Sequence, residues 1–146
     1  MKTHCQICGR EIKANTGVIA HHGYERPGDG WQTSSCLGAR YKPYEESRDR
    51  IPFVIERFKE WRESRLHQRD EMLQNPPEKL FRFRGYTKIE RDRPEGFSPG
   101  EQHPSSNLNT YEGMFHNLLK NLVAEAAALD RNIEHLEKRH EEWVGR

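Results

Sequence analysis

Cys5-Gln6-Ile7-Cys8-Gly9-Arg10 is the stretch from which the fold of this 146-residue chain is read. Two cysteines three apart, followed by glycine, form a knuckle whose thiolates converge on one tetrahedral metal ion while backbone N–H groups stabilise the sulfurs. Gly9 lets the chain turn back where a Cβ would clash. A third cysteine, Cys36, lies further on, and the adjacent His21 and His22 fall between it and Cys8. Cys5, Cys8, one of these histidines and Cys36 make a Cys3His set, a common closed zinc site. Strand alternation points neighbouring side chains to opposite faces, so one histidine ligates and the other does not. Gly23 beside His22 favours His22, with His21 as the alternative; His4 is too close to Cys5 to join. Four protein ligands leave no position for water, so the expected role of the Zn2+ is structural.

Composition makes such a staple necessary. Only 33% of residues are hydrophobic and 32% are charged, with a mean hydropathy of -1.08. That apolar share is below the roughly 45–50% of an ordinary globular domain, so one large core is not expected. No run approaches the roughly 18 apolar residues of a membrane span. The N-terminal residues carry no apolar signal region, and a cytoplasmic setting is expected, where three cysteines serve as metal ligands in preference to disulfides. The net charge is +1, with a balance of +3 over residues 1–44, +2 over 45–93 and −4 over 94–146. The whole molecule is therefore no polycation, although its front is mildly basic.

Outward from the cysteines, Ile12-Lys13-Ala14 and Val18–His21 flank Asn15-Thr16-Gly17 and read as a hairpin. Pro27-Gly28-Asp29-Gly30 marks a second tight turn. Residues 46–74 have helical composition, with Pro52 near the start and Asn75-Pro76-Pro77 at the end. Ile51, Ile55, Phe58, Arg62, Leu66, Arg69 and Leu73 follow helical spacing, widened by Val54 and Trp61. Leu80 to Arg91 reads as one strand, with Phe81, Phe83, Thr87 and Ile89 on one face and Arg82, Arg84, Tyr86 and Lys88 on the other. Residues 92–107 read as a mobile Pro/Gly/Ser-rich loop. From 108 to 143 a heptad stripe steps through Phe115, Leu119, Leu122, Ala126, Leu129, Ile133, Leu136, His140 and Trp143, with Asn109 or Thr110 as the cap. So narrow a seam covers a partner helix, either helix 46–74 or a second copy of the chain.

The expected architecture is α+β: a small N-terminal zinc-knuckle or treble-clef-like module over 1–45, then a long two-helix, coiled-coil-like hairpin with a short strand between. Its segments are a helix over 46–75, strand and loop over 78–107, and the heptad helix over 108–146.

Outside the cysteines, Arg82, Arg84, Tyr86 and Lys88 offer cations and a stacking ring suited to nucleic acid. An edge strand kept soluble by charge is the simpler reading. The cations of helix 46–74 alternate with acids, which fits a solvated face with i,i+4 pairs. Trp31 and Tyr24 read as cover for the zinc hairpin, and His140 as a register-setting polar residue in the seam. Ser34 and Ser35 stand near histidines but lack a nucleophile elbow, and neither a P-loop nor a dinucleotide fingerprint occurs. Enzymatic turnover is not expected.

Cys5–Arg10, Ile19-Ala20-His21-His22-Gly23-Tyr24, Arg26-Pro27-Gly28, Gly30–Cys36 and Pro43-Tyr44-Glu45 together resemble a signature of small zinc-binding proteins of bacteriophages and mobile elements. The resemblance spans residues 5–48 and implies the metal role of Cys5, Cys8, Cys36 and the His21–His22 pair, but no activity. By analogy it points to a bacterial or phage-infected cytoplasm. A weaker likeness is to the His-Asn-His endonucleases, whose treble clef sets a zinc knuckle before a hairpin and a short helix. Those enzymes need Asn and a second His soon downstream; here the next Asn after His22 is Asn75 and the next His is His67, so a degenerate site is expected. The expectation for function is docking on a host or phage protein. Nucleic-acid binding through the zinc hairpin and the Arg82/Arg84/Tyr86/Lys88 face is the alternative.

Overall fold

A computed structural model describes residues 2–14, 16–25, 32–99 and 107–145. In chain order the elements are β1 (Gly23–Glu25), β2 (Gln32–Ser35), α1 (Ile51–Gln74), β3 (Lys79–Arg84), β4 (Thr87–Asp92) and α2 (Tyr111–Glu141). The class is α+β, with two long helices and two antiparallel two-stranded sheets, β1–β2 and β3–β4. The chain divides into two compact units, Met1–Trp61 with Ala128–Arg146, and Arg62–Ala127. Each therefore takes part of both helices. The expected module over 1–45 gains the first turns of α1 and the last turns of α2, because it lacks the apolar residues to close a core alone.

In the first unit the backbone pairs around the cysteines. Cys5 N–H donates to Arg10 O, Gly9 N–H to Cys5 O, and Ile12 N–H to Thr3 O. Gly9, with φ of 75°, supplies the left-handed step that this reversal needs. The expected 12–21 hairpin is a looser excursion: Ala20 N–H reaches Lys13 O, yet neither limb is a strand. The sheet falls later, where Gly23 pairs with Ser35 and Glu25 with Gln32. The turn expected at 27–30 and Trp31 lie outside the described residues. Ile7, Ile19, Cys5, Cys36, Ile51, Val54, Ile55, Phe58, Ile133 and Leu136 form one buried cluster, with Leu129 at its margin. Tyr24 packs edge-on to Phe58, ring centroids 6.2 Å apart, which gives it the covering role expected.

Helix α1 begins at Ile51, five residues later than the composition implied. Residues 46 and 47 hydrogen-bond back to Pro43 O, and the side chain of Gln6 accepts the Arg50 N–H at 2.9 Å, which fixes where the helix can start. Gln6 is fully buried and fully used: its amide also donates to Lys42 O and to Asp49 Oδ1.

In the second unit the expected single strand is a hairpin. Gly85, with φ of 62°, occupies the first central position of a two-residue turn, the glycine placement of a type II′ turn. Arg84 then opposes Thr87, Arg82 opposes Ile89, and Leu80 opposes Arg91. Directly opposed residues share a face, so Leu80, Arg82, Arg84 and Ile89 fall together, while Phe81 and Phe83 lie on the other side with Lys88 and Glu90. Leu80 packs with Tyr111, Met114, Phe115, Ile89 and Phe97. Phe97 corrects the expectation of a mobile loop over 92–107: its ring stands edge-on to Tyr111 and to Phe115, each 5.0 Å away. Residues 100–106 lie outside the described set.

Helix α2 starts at Tyr111 behind Thr110, whose hydroxyl accepts the Gly113 N–H, an N-cap. Its heptad stripe is buried or half-buried from Phe115 through Trp143. The neighbours differ along its length: Phe115 and Leu119 join the aromatic cluster of the second unit, whereas Leu129, Ile133 and Leu136 join the cysteine-bearing core of the first. The coiled-coil-like hairpin expected from the seam is thus replaced, within the first unit, by a composite partner of α1 and module residues. The helix ends at Glu141, so Trp143 lies past it.

Candidate metal centre

Cys5, Cys8, His22 and Cys36 converge so that their four donor atoms all lie within 4.8 Å of one another. Cys5 and Cys8 arrive on the turn closed by Gly9, His22 on the residue leading into β1, and Cys36 on the residue after β2. The β1–β2 pairing brings the last two together, with Cys36 N–H donating to His22 O at 2.9 Å.

Distances fit a tetrahedral ion. A metal with M–S near 2.3 Å and M–N near 2.0 Å sets sulfurs about 3.8 Å apart and sulfur to nitrogen about 3.6 Å. Cys5 Sγ and Cys36 Sγ are 3.7 Å apart, and Cys8 Sγ and His22 Nε2 are 3.3 Å apart. All three cysteines are free thiols. The Nδ1–H of His22 donates to Ala20 O at 2.8 Å, which fixes the tautomer and turns Nε2 into the cluster as an acceptor. Backbone amides reach the sulfurs, Ile7 N–H to Cys5 at 3.4 Å and Gly38 N–H to Cys36 at 3.5 Å.

Among the thiols themselves the ionisation is uneven. Hydrogen bonding from Cys36, and then from Cys5, holds the Cys8 thiol far below the ordinary thiol range in spite of burial. Bonding to Cys5, then to Cys8, together with burial pushes Cys36 far above it. One anion shared by three sulfurs is a cluster poised for a cation, whose binding deprotonates the rest.

His21 goes elsewhere. It is exposed, with Nε2 2.7 Å from Ser35 Oγ. His4 pairs with Glu45 at 2.8 Å. No protein-family model, curated protein or solved structure matches this chain. What the site can do is therefore argued from its own geometry.

Several residues that serve the cluster escaped the sequence reading. A Cβ on Gly38 would lie 2.3 Å from Cys5 Sγ, so only glycine lets the Cys36 turn approach the Cys5 turn. Cys36–Arg40 repeats the geometry of Cys5–Gly9: each has an amide two residues on aimed at its first sulfur, and each ends in a left-handed residue, Gly9 and Arg40 at 75° and 70°. Ala39 stands where Cys8 stands in the first turn, and His22 supplies the donor that this second turn lacks. The parallel Cys-x-x-x-Gly and Cys-x-x-x-Arg spacing was visible, but an arginine carries no turn signal.

The back of the site is closed by α2. Arg139 donates to Cys5 O and Gln6 O, each at 3.1 Å, and lies over the Tyr44 ring at 4.0 Å. Trp143 donates to Tyr44 O, and Arg48 to His140 O at 2.7 Å. Three thiolates around a divalent cation carry a net negative charge, and the Arg139 guanidinium faces it from behind the backbone.

The residues grouped as a nucleic-acid face do not share one. Arg82 and Arg84 lie on the Leu80/Ile89 side of the hairpin, Lys88 lies over the Phe81 ring at 4.6 Å on the other, and Tyr86 projects fully exposed from the turn. A two-residue turn inverts the alternation, and reading through it placed Lys88 on the wrong side. Among the described residues no helix is long and apolar enough to cross a membrane.

Proposed function

We propose that this chain is a zinc-stabilised binding protein that acts by docking on another protein. Zinc suits three thiolates and an imidazole in a tetrahedron, a donor set that hard cations avoid. The order of turn, hairpin and helix around the four ligands supports a knuckle or treble-clef module, and the signature over 5–48 supports a phage or mobile-element setting. Free thiols in a metal cluster fit a reducing cytoplasm. With four protein donors the ion has no open position for a water, so the reading assigns it to folding and not to turnover.

The observation that carries the docking reading is the β3–β4 hairpin. It buries Leu80 on one face and leaves Phe81 and Phe83 58% and 61% exposed on the other, edge-on to each other. Paired exposed aromatics are characteristic anchors of protein interfaces. The heptad seam is covered within each unit, so the reading sets the partner surface on the hairpin and not, through a second copy, on the C-terminal helix.

Nucleic-acid binding is the second reading, favoured by six basic residues against two acidic over 79–93. Titration of the zinc-loaded protein with mixed DNA and RNA 25-mers across salt concentrations, beside capture from native host lysate, separates the two. Docking on protein predicts capture that survives nuclease treatment and about 0.5 M salt, since apolar contacts are little screened. Oligonucleotide affinity falling steeply with salt would replace it. Magnesium- or manganese-dependent cleavage that disappears in His21→Ala would overturn both in favour of a nuclease.

A further inference from the structure

The second unit contains an open cavity of about 200 Å³ lined by Phe81, Arg82, Leu108, Met114, Asn117 and Leu118. Phe81 and Arg82 are consecutive and project to opposite faces of β3, so a cavity that both line lies along the outer edge of that strand. That edge is open: β3 pairs with β4 alone. The cavity is walled by aliphatic side chains of α2 and of the residue three before it, a concave apolar recess with one guanidinium and one carboxamide in its lining.

Charge around the hairpin is sorted. On the Phe81 side Lys79 pairs with Glu90 and Asp92 at 3.5 and 3.8 Å, and Lys88 pairs with Glu90 at 3.3 Å. Both acids of the hairpin are thereby used. Arg91 and Arg93 donate to backbone carbonyls of Glu90 and Pro76. Arg82 and Arg84 have no acidic partner among the described residues, and Arg82 is half-buried. A half-buried guanidinium beside apolar walls is costly unless a carboxylate completes it.

We propose that the open edge of β3 receives an extended acidic peptide segment of a partner protein, which seats one bulky aliphatic side chain in the cavity and sets a carboxylate on Arg82. The strand edge supplies main-chain hydrogen bonds, the cavity reads every second side chain, and Arg82 and Arg84 select negative charge. A nucleic acid fits less well: the recess is shaped for a branched side chain, and the aromatic side presents Glu90 and Asp92 to any phosphate.

This inference rests on the protein-docking reading and has its own test. The probe is a fluorescein-labelled octapeptide, EDELEVDE, titrated by fluorescence polarisation against the full zinc-loaded chain. Controls are the same peptide with Leu and Val changed to Ser, the same peptide with acids changed to Lys, and a dodecamer of deoxythymidine. Saturable binding of the first peptide is expected, weakened about tenfold or more by Arg82→Ala, by Phe81→Ala and by either peptide change. Phe81 and Arg82 lie outside the buried cluster, and an unchanged zinc content and melting profile confirm that the variants fold. No binding up to about 1 mM peptide, binding indifferent to Arg82→Ala, or Arg82-dependent binding of the dodecamer alone would overturn the proposal. A lysate partner captured equally by wild type and Arg82→Ala would retain the docking reading and discard this surface.

Discussion

The two units hold themselves together by opposite means. The first gathers Cys5, His22, Cys36 and Arg139 from distant parts of the sequence, and its centre is a four-donor cluster with a modest aliphatic core around it. The second is built from a tight hairpin and three aromatic rings, Phe97, Tyr111 and Phe115, brought together over a short stretch of chain. Burial that the first unit lacks is supplied there by coordination. In the second it is supplied by ring packing, and a strand edge is left open. The lesson is that charge-rich composition need not mean one weak core: it can divide between a unit tied by a metal and one small enough to close on local contacts.

Removing a ligand should break this contrast most. Cys36→Ser withdraws a thiolate from a site whose ion contributes on the order of 10 kcal/mol. Hydrogen exchange should then show residues 3–22 losing protection while Leu80–Asp92 keep theirs. His22→Ala should act in the same direction and His21→Ala should leave metal content unchanged, since only His22 faces the cluster. Equal losses from both histidine variants would contradict the assignment.

Phe97→Ala breaks the other side. Truncating a ring wedged between Tyr111 and Phe115 should cost about 3 kcal/mol, read as faster exchange in β3 and β4 with metal stoichiometry unaffected. Smaller effects sharpen the picture of the metal site. Gly38→Ala places a Cβ against Cys5 Sγ, and Arg139→Ala removes the support behind Cys5 and Gln6. Each should weaken metal affinity about 10- to 100-fold in competition with a chromophoric chelator, as losses of supporting contacts do.

The smallest effect concerns pH. The Gln6 amide, then the Ser47 hydroxyl, holds the Asp49 carboxyl below its ordinary value. Its folded pKa is depressed, so its stabilisation is present above the unfolded value of about 3.9 and is lost as pH falls through the lower folded one. Asp49 is well solvated, so Asp49→Asn should lower stability at pH 7 by less than about 1 kcal/mol in thermal melts. His135 has the same sign: burial lowers its pKa, so acid destabilises the first unit as the unfolded histidine takes up its proton first.

The metal cluster was legible because its information is local: Cys-x-x-Cys-Gly constrains a few residues, and Gly23 beside His22 marked which histidine could turn inward. The helices were legible by period, with Thr110 among the two caps named. The hairpin was not, because Arg84-Gly85-Tyr86-Thr87 continues an alternating pattern through a two-residue turn, and only Gly85 betrayed the reversal. Phe97 was lost among prolines and glycines whose composition reads as loop. The clamp of Arg139 and Trp143 on Tyr44 and the Cys5 turn links residues about 95 to 134 positions apart, and no local pattern encodes such a contact.

Thermal unfolding of metal-analysed protein, with and without excess chelator, tests the central claim most directly. The account predicts about one zinc per chain, and a transition of the first unit that is lost or moved far down in temperature when the ion is stripped. Protein that purifies without transition metal and melts cooperatively at the same midpoint in chelator would contradict it.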